Sequence, residues 1–155
     1  MNEENELLLQ LRGLIEGVPH TIANLYNASA LLFCGLDRLN WAGFYFVMGD
    51  RLVLGPFQGR PACIEIPMGH GVCGTAAERD ETLIVPNVHE FPGHIPCDCA
   101  SNSEIVIPLH VGGRVAAVLD IDSPVFDRFS KEDGELLTAA ARIIEASLEE
   151  TGLNC

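Results

Sequence analysis

Positive charge is scarce in this chain: 9 Lys and Arg residues stand against 22 Asp and Glu, for a net charge of −13. Nucleic-acid binding needs a basic footprint, which this composition excludes. The same negative field repels anionic membranes and polyanionic ligands. Long apolar runs are also missing. The longest uncharged stretch starts at Val18 and stops at Asp37, and Pro19, His20, Asn24, Asn27 and Ser29 interrupt it. It does not read as a membrane span. The N-terminus, Met1-Asn2-Glu3-Glu4-Asn5-Glu6, has neither the basic nor the apolar region of a targeting peptide, so a cytoplasmic chain is expected. There is no internal repeat and no low-complexity linker. A length of 155 residues predicts one domain, residues 1–155, able to bury a core.

What is present is a regular alternation of helical and extended patterns. Leu7, Leu8, Leu11, Leu14 and Ile15 give an apolar helical face over Asn5–Glu16. Gly17 and Pro19 punctuate it, and a second helix is predicted from about His20 to Phe33. Asn40–Met48 reads as a buried strand, Gly49-Asp50 as a turn, and Arg51–Leu54 as the return strand of a hairpin. Ala62–Ile66 is predicted as a third strand, Val72–Glu78 as a short helix and Thr82–Val85 as a further strand. A long irregular stretch, Pro86–Asn102, follows; such loops in compact domains are usually functional or disordered. Glu104–His110 and Arg114–Asp122 are two strands joined through Gly112-Gly113, a strong hairpin signal. Ser130, followed by Lys131-Glu132-Asp133, reads as the N-cap of a last amphipathic helix. The order predicts an α+β fold, a mostly antiparallel central sheet with helices packed on it.

Two groups of residues can carry chemistry. The first is the cysteines. An even count of 6 invites a disulfide framework, but a chain of this size in a reducing compartment needs none. Cys34 ends an apolar helix and reads as a buried small hydrophobe, and Cys155 is the last residue and reads as incidental. Cys73 opens a short helix, where a thiol's pKa is lowered. Cys97 and Cys99 sit in the long loop after His94. For these and Cys63, core packing, redox chemistry and a zinc site using Cys97, Cys99 and His94 with Cys63 or Cys73 all remain open. The paired spacing that would make zinc a strong reading is missing, and no metal is expected.

The second group is Glu104, Asp120 and Asp122. Residues i and i+2 of a strand share a face, so Asp120 and Asp122 project together, and the hairpin brings Glu104 beside them. Carboxylates this close raise one another's pKa and make a proton donor available near neutrality. Solvated strand ends are the alternative. Trp41, the only Trp, shares a strand face with Gly43 and Tyr45, which suits either core packing or a small aromatic-walled pocket.

Five stretches taken in order resemble one family. They are Asn40 to Tyr45; Leu54 to Cys63, continuing into Gly69 to Ala76; Phe91-Pro92-Gly93-His94-Ile95-Pro96-Cys97-Asp98; Ser101 to Pro108; and Val118 to Pro124. Together they are similar to the free methionine-R-sulfoxide reductases, enzymes built on a GAF domain, and the similarity covers nearly the whole chain. The resemblance implies a GAF-like fold with Cys97 as the catalytic cysteine, Cys63 as the usual resolving cysteine and Cys73 as a secondary one. It implies that Glu104, Asp120 and Asp122 hold the substrate amine and assist protonation, and that Trp41 and Tyr45 line the methyl end of the pocket. Cys99 departs from the pattern and, so near Cys97, can compete in the resolving step. No bound cofactor is implied; thioredoxin, fed by NADPH through its reductase, is the implied external reductant. The R preference follows from the resemblance alone, and a homodimer is a further implication. A loop that carries Cys97 to a partner thiol is expected to move. The rival from another class is a non-catalytic GAF sensor that binds a small molecule.

Overall fold

The computed structural model describes residues 3–152. Four helices and six strands follow one another as α1 (Glu3–Ile15), α2 (Thr21–Gly35), β1 (Trp41–Met48), β2 (Arg51–Gly59), β3 (Glu65–Pro67), α3 (Gly71–Arg79), β4 (Leu83–Val85), β5 (Ser103–Val111), β6 (Arg114–Ser123) and α4 (Lys131–Thr151). The strands form one sheet in the order β3-β2-β1-β6-β5-β4, and every pairing is antiparallel. The α+β prediction holds. Cys155 lies outside the described residues.

Each face of the sheet has its own core. On one, α1, α2 and α4 cover Ala42, Phe44 and Phe46 of β1, Ile105, Ile107 and Leu109 of β5, and Ala117, Leu119 and Ile121 of β6. Helix α1 contributes Leu7, Leu11 and Ile15, whereas Leu14 of its predicted face is exposed. On the other face, α3 and the loops around it cover Trp41, Tyr45, Leu52, Val106 and Val118. Alternate residues of one strand therefore feed two cores, as the period-2 geometry requires. Each fully buried Leu, Ile or Phe contributes about 1.5–3 kcal/mol.

Local signals account for the element ends. Gly112 and Gly113 both have positive φ, 61° and 77°, as a type I′ hairpin turn demands, and they pin the β5–β6 register. Ser130 caps α4 in a capping box: its hydroxyl accepts from the Asp133 N–H at 3.1 Å, and the Asp133 carboxylate accepts from the Ser130 N–H at 2.8 Å.

Three predicted features differ. Strand β2 runs on past Leu54 to Gly59, through Pro56, because the β1–β2 register shifts between Gly43 and Tyr45; a bulge there lets a residue without an N–H sit in the strand. The third strand is displaced to Glu65–Pro67, which leaves Cys63 in the loop before it. Cys34 is exposed rather than buried: it falls in the last turn of α2, on the side that turns away from the Leu25–Ala28–Leu32 stripe.

Candidate active site

Strand register assembles the polar residues on the face under α3. Glu104 of β5 lies opposite Asp122 of β6, and Asp122 lies opposite Trp41 of β1. One step along, Val106, Asp120 and Gly43 form the next row. All three carboxyl groups and the aromatic strand thus meet at one place. Gly43 is required there: a Cβ would stand 2.7 Å from the Phe57 Cα and 2.8 Å from the Pro56 carbonyl oxygen. The close approach of β2 lets Phe57 stack on Trp41, ring centroids 5.1 Å apart.

The thiols come from two other elements. Cys63, before β3, is disulfide-bonded to Cys97 of the long loop, with a Cα–Cα separation of 5.3 Å. Of the two partners that the resemblance implies for Cys97, the structure joins Cys63. Cys73 is a free, buried thiol in the first turn of α3, its Sγ 3.8 Å from Glu104 Oε1. Cys99 is free and exposed. Among the described residues, Cys97, Cys99 and His94 make no metal-ligand group with Cys63 or Cys73. The group close enough to ligate an ion is Cys73, Glu104 and Asp120, one donor atom from each lying within 4.8 Å of the others.

A cavity of about 30 Å³ lies between these parts, walled by Tyr45, Cys73, His94, Cys97, Glu104 and Asp120 among others. That is about the share of one water molecule in the liquid, too little for an amino acid. Trp41 and Asp122 are not part of its wall. Trp41 stacks behind Tyr45 at 5.9 Å and donates from Nε1 to the Arg60 carbonyl. The Tyr45 hydroxyl donates to the Cys63 carbonyl oxygen at 2.9 Å and so ties the Cys63 loop to β1. A larger groove, about 430 Å³, runs between α1 and α4 and contains none of the predicted residues.

The electrostatics follow from burial. Glu104 and Asp120 are only 7% and 5% exposed. Burial first, then repulsion from Asp120, holds the Glu104 and Asp122 carboxyls well above the usual carboxylate range. Asp120 is raised by burial, and hydrogen bonds from Glu104, Cys73 and Asp122 offset part of that. The group therefore retains protons that isolated carboxylates would have lost. Asp120 Oδ1 and Asp122 Oδ1 are buried without a hydrogen-bond partner. Buried acceptors are rarely left so, and each can still take a donor. No Arg or Lys lines the cavity to supply one. Burial also lowers His94, with help from His89.

The expected lowering of the Cys73 pKa is overturned. Burial, then Asp120, Glu104 and Asp122, pushes this thiol well up. A helix end supplies about half a positive charge, less than three carboxyl groups and desolvation oppose.

One set of residues escaped the sequence reading. The Asn40 side-chain amide donates to Asp98 Oδ2 at 3.0 Å and to Ser101 Oγ at 2.9 Å, and Asp98 Oδ1 accepts from the Ala100 N–H at 2.9 Å. The Asn40 N–H also donates to the Asp122 carbonyl oxygen at 3.0 Å. The segment after Cys97 is thereby tied to the start of β1 and the end of β6. The Asp98-x-Ala100-Ser101 turn is visible locally, but its partner stands 58 residues away.

With this geometry in hand, known proteins supply the family. Residues 14–148 match the family described as GAF domain. The free methionine-R-sulfoxide reductase of Escherichia coli K12 is 49% identical over 146 residues, covering 94% of this chain and 88% of that one. The structure of fRMsr of Staphylococcus aureus in its reduced form is 50% identical, with a TM-score of 0.91 and 94% of each chain covered. The free methionine-R-sulfoxide reductase of Neisseria meningitidis in complex with its substrate is 40% identical, with a TM-score of 0.92, covering 96% of this chain and 89% of that one.

Proposed function

This chain belongs to the GAF-domain free methionine-R-sulfoxide reductases, and we propose that the whole chain is one catalytic domain in which Cys97, Cys63 and three clustered carboxyl groups reduce free L-methionine-R-sulfoxide to L-methionine. The observation that carries this reading is the Cys63–Cys97 disulfide beside two orphaned, buried carboxylate oxygens.

Free methionine sulfoxide carries an ammonium group that a peptide-bound residue lacks. Asp120 Oδ1 and Asp122 Oδ1 accept from it, and the excess of carboxyl groups over cations makes the pocket selective for that charge. Tyr45, backed by Trp41, supports the apolar end. In the reduced protein the Cys97 thiolate attacks the sulfoxide sulfur. A protonated member of the Glu104–Asp120–Asp122 group donates to the sulfoxide oxygen, Glu104 and Asp122 being the most strongly raised. The sulfur–oxygen bond breaks, the oxygen passes to Cys97, and the product is methionine with a sulfenic acid on Cys97. Substrate sulfur is reduced and Cys97 oxidised by two electrons. The Cys63 thiol then attacks Cys97 sulfur and releases water, which leaves the disulfide of this structure. Cys73 is the secondary resolver, and its raised pKa makes it the slower nucleophile.

An external dithiol reduces the disulfide by exchange; thioredoxin, supplied by NADPH through its reductase, fills that role in a cytoplasmic enzyme with no bound cofactor. The disulfide state leaves a cavity of about 30 Å³, so substrate entry requires the Cys97 loop to withdraw. A second copy of the chain as dimer partner belongs to this reading through the family.

The test is thioredoxin-coupled NADPH oxidation with free R-sulfoxide, free S-sulfoxide and a peptide-bound sulfoxide, on wild type and Cys97→Ser. Turnover of the free R epimer alone, abolished in Cys97→Ser, is the expected result. No turnover of any sulfoxide by reduced protein would leave a small-molecule-binding GAF module instead.

A further inference from the structure

We propose that Cys73, Glu104 and Asp120 form a binding site for a thiophilic divalent cation of the zinc type, open to the ion even when Cys63 and Cys97 are disulfide-bonded. The cation site stands on the geometry alone. Its consequence, competition with the substrate's ammonium for the same carboxylates, rests on the proposed reductase reading.

Three observations carry it. First, the donor set is right in kind and spacing. One thiol and two carboxyl groups offer atoms within 4.8 Å of one another. A tetrahedral zinc with sulfur at about 2.3 Å and oxygen at about 2.1 Å separates those two donors by roughly 3.6 Å. Cys73 Sγ and Glu104 Oε1 already stand 3.8 Å apart. Second, Asp120 is 5% exposed, forms part of the cavity wall, and has one oxygen without a partner. Third, the cavity of about 30 Å³ is the size for one ion and not for an amino acid. In the disulfide form it is thus closed to the substrate yet large enough for a cation.

The chemistry favours a soft or borderline ion. A thiolate with two carboxylates suits zinc or cadmium and gives little advantage to magnesium or calcium, which require six or more oxygen ligands in an open cage. Binding displaces the thiol proton and any carboxyl protons into solvent. The same displacement removes the proton donor from the reaction and the counter-charge from the ammonium. A bound ion is therefore a competitive inhibitor, and one that the ordinary thiol–disulfide cycle does not expel.

The experiment uses the full chain in a Cys34→Ser, Cys99→Ser, Cys155→Ser background, oxidised to the Cys63–Cys97 disulfide, so that Cys73 is the one free thiol. Titration with cadmium chloride alone is followed by the thiolate-to-cadmium charge-transfer band in the ultraviolet. The expected result is one equivalent bound with the band. Cys73→Ser should lose the band, with affinity down by more than about 100-fold. Asp120→Asn should keep the band but bind at least about tenfold more weakly, since a ligand is lost and the thiol is not. In the reduced enzyme, zinc should raise the KM for methionine sulfoxide and leave kcat unchanged. Absence of the band, its survival in Cys73→Ser, or an unchanged affinity in Asp120→Asn would each overturn the site. Zinc inhibition that lowers kcat with KM unchanged would overturn the competition. Cadmium binding without turnover of any sulfoxide would remove the reductase reading and leave the cation site, and turnover without cadmium binding would do the reverse.

Discussion

Strands β5 and β6 present two faces that share every backbone hydrogen bond and differ in everything else. On one, Ile105, Ile107, Leu109, Leu119 and Ile121 pack against the helices with almost no exposure. On the other, Glu104 and Asp120 are buried and Asp122 half-buried beside a thiol, with one buried oxygen each of Asp120 and Asp122 unpaired. The first face gains stability from each side chain it removes from water. The second buries ionisable groups without a counter-charge, which costs stability. The difference teaches that burial here serves two ends through one register. A one-residue slip of β6 would exchange the faces and destroy both, so the apolar face holds the acidic one in place.

That contrast can be broken from either side. The largest effect on stability is expected on the helix face: Ile107→Ala should cost about 2–5 kcal/mol in denaturant unfolding while kcat/KM of the folded enzyme stays within a few-fold. A loss of activity as large as the loss of stability would show that the faces are not separable. On the acidic face the signs reverse. Asp120→Asn should lower kcat/KM through KM by roughly 10–100-fold, the worth of a buried charged hydrogen bond, and leave the protein as stable as before or more so. A marked loss of stability in this variant would mean that the hydrogen bonds Asp120 accepts from Glu104, Cys73 and Asp122 outweigh the cost of burying its charge.

The pH dependence sharpens the comparison further. A carboxyl whose folded pKa is raised contributes stability below its unfolded pKa, and that contribution is lost as pH rises through the folded value. Burial first raises Glu104 and Asp122 well above the usual range, so the ligand-free protein should gain thermal stability as pH falls from the alkaline side towards the ordinary carboxylate range. Glu104→Gln should flatten that slope, and an unchanged slope would locate the titration elsewhere. The smallest effect concerns His110, where β5 leaves the acidic site. Its ring contacts Glu145 of α4 at 2.8 Å and Asp80, after α3, at 2.7 Å. The Glu145 hydrogen bond, with help from Asp80, raises it against some burial. Its contribution is full below the ordinary histidine range and lost as pH rises through the raised value. The ring is partly exposed and its partner Asp80 mostly so, which screens the pair, and His110→Gln should remove less than about 1 kcal/mol, measured as the difference between wild-type and variant unfolding across that range.

Local pattern made much of this legible. The Gly112-Gly113 turn and the i, i+2 placement of Asp120 and Asp122 follow from side-chain period and turn chemistry, and Ser130 reads as a cap from its neighbours. The β2 extension was not legible, because Gly55 and Pro56 signal a break and only the bulge between the Gly43 and Tyr45 pairings accommodates them. Cys34 was misjudged since an apolar neighbourhood in sequence does not say which side of the last helical turn faces solvent. The Cys73 pKa was misjudged because the helix end is a local feature and the carboxylates opposing it arrive on other strands.

The sequence by itself determined the helix and strand pattern, the hairpin register and the shared face of the carboxylates, because periodicity and turn geometry act over a few residues. Apart from the family resemblance, which implied Cys63, no local pattern says which thiol meets Cys97: the tertiary structure decides it, since Cys63 lies 34 residues away and closure depends on how two loops meet. It also decided that Asn40 ties down the Cys97 loop and that the Cys73 thiol is pushed up rather than down. Both depend on distance through space and on exclusion of water, which no local pattern contains.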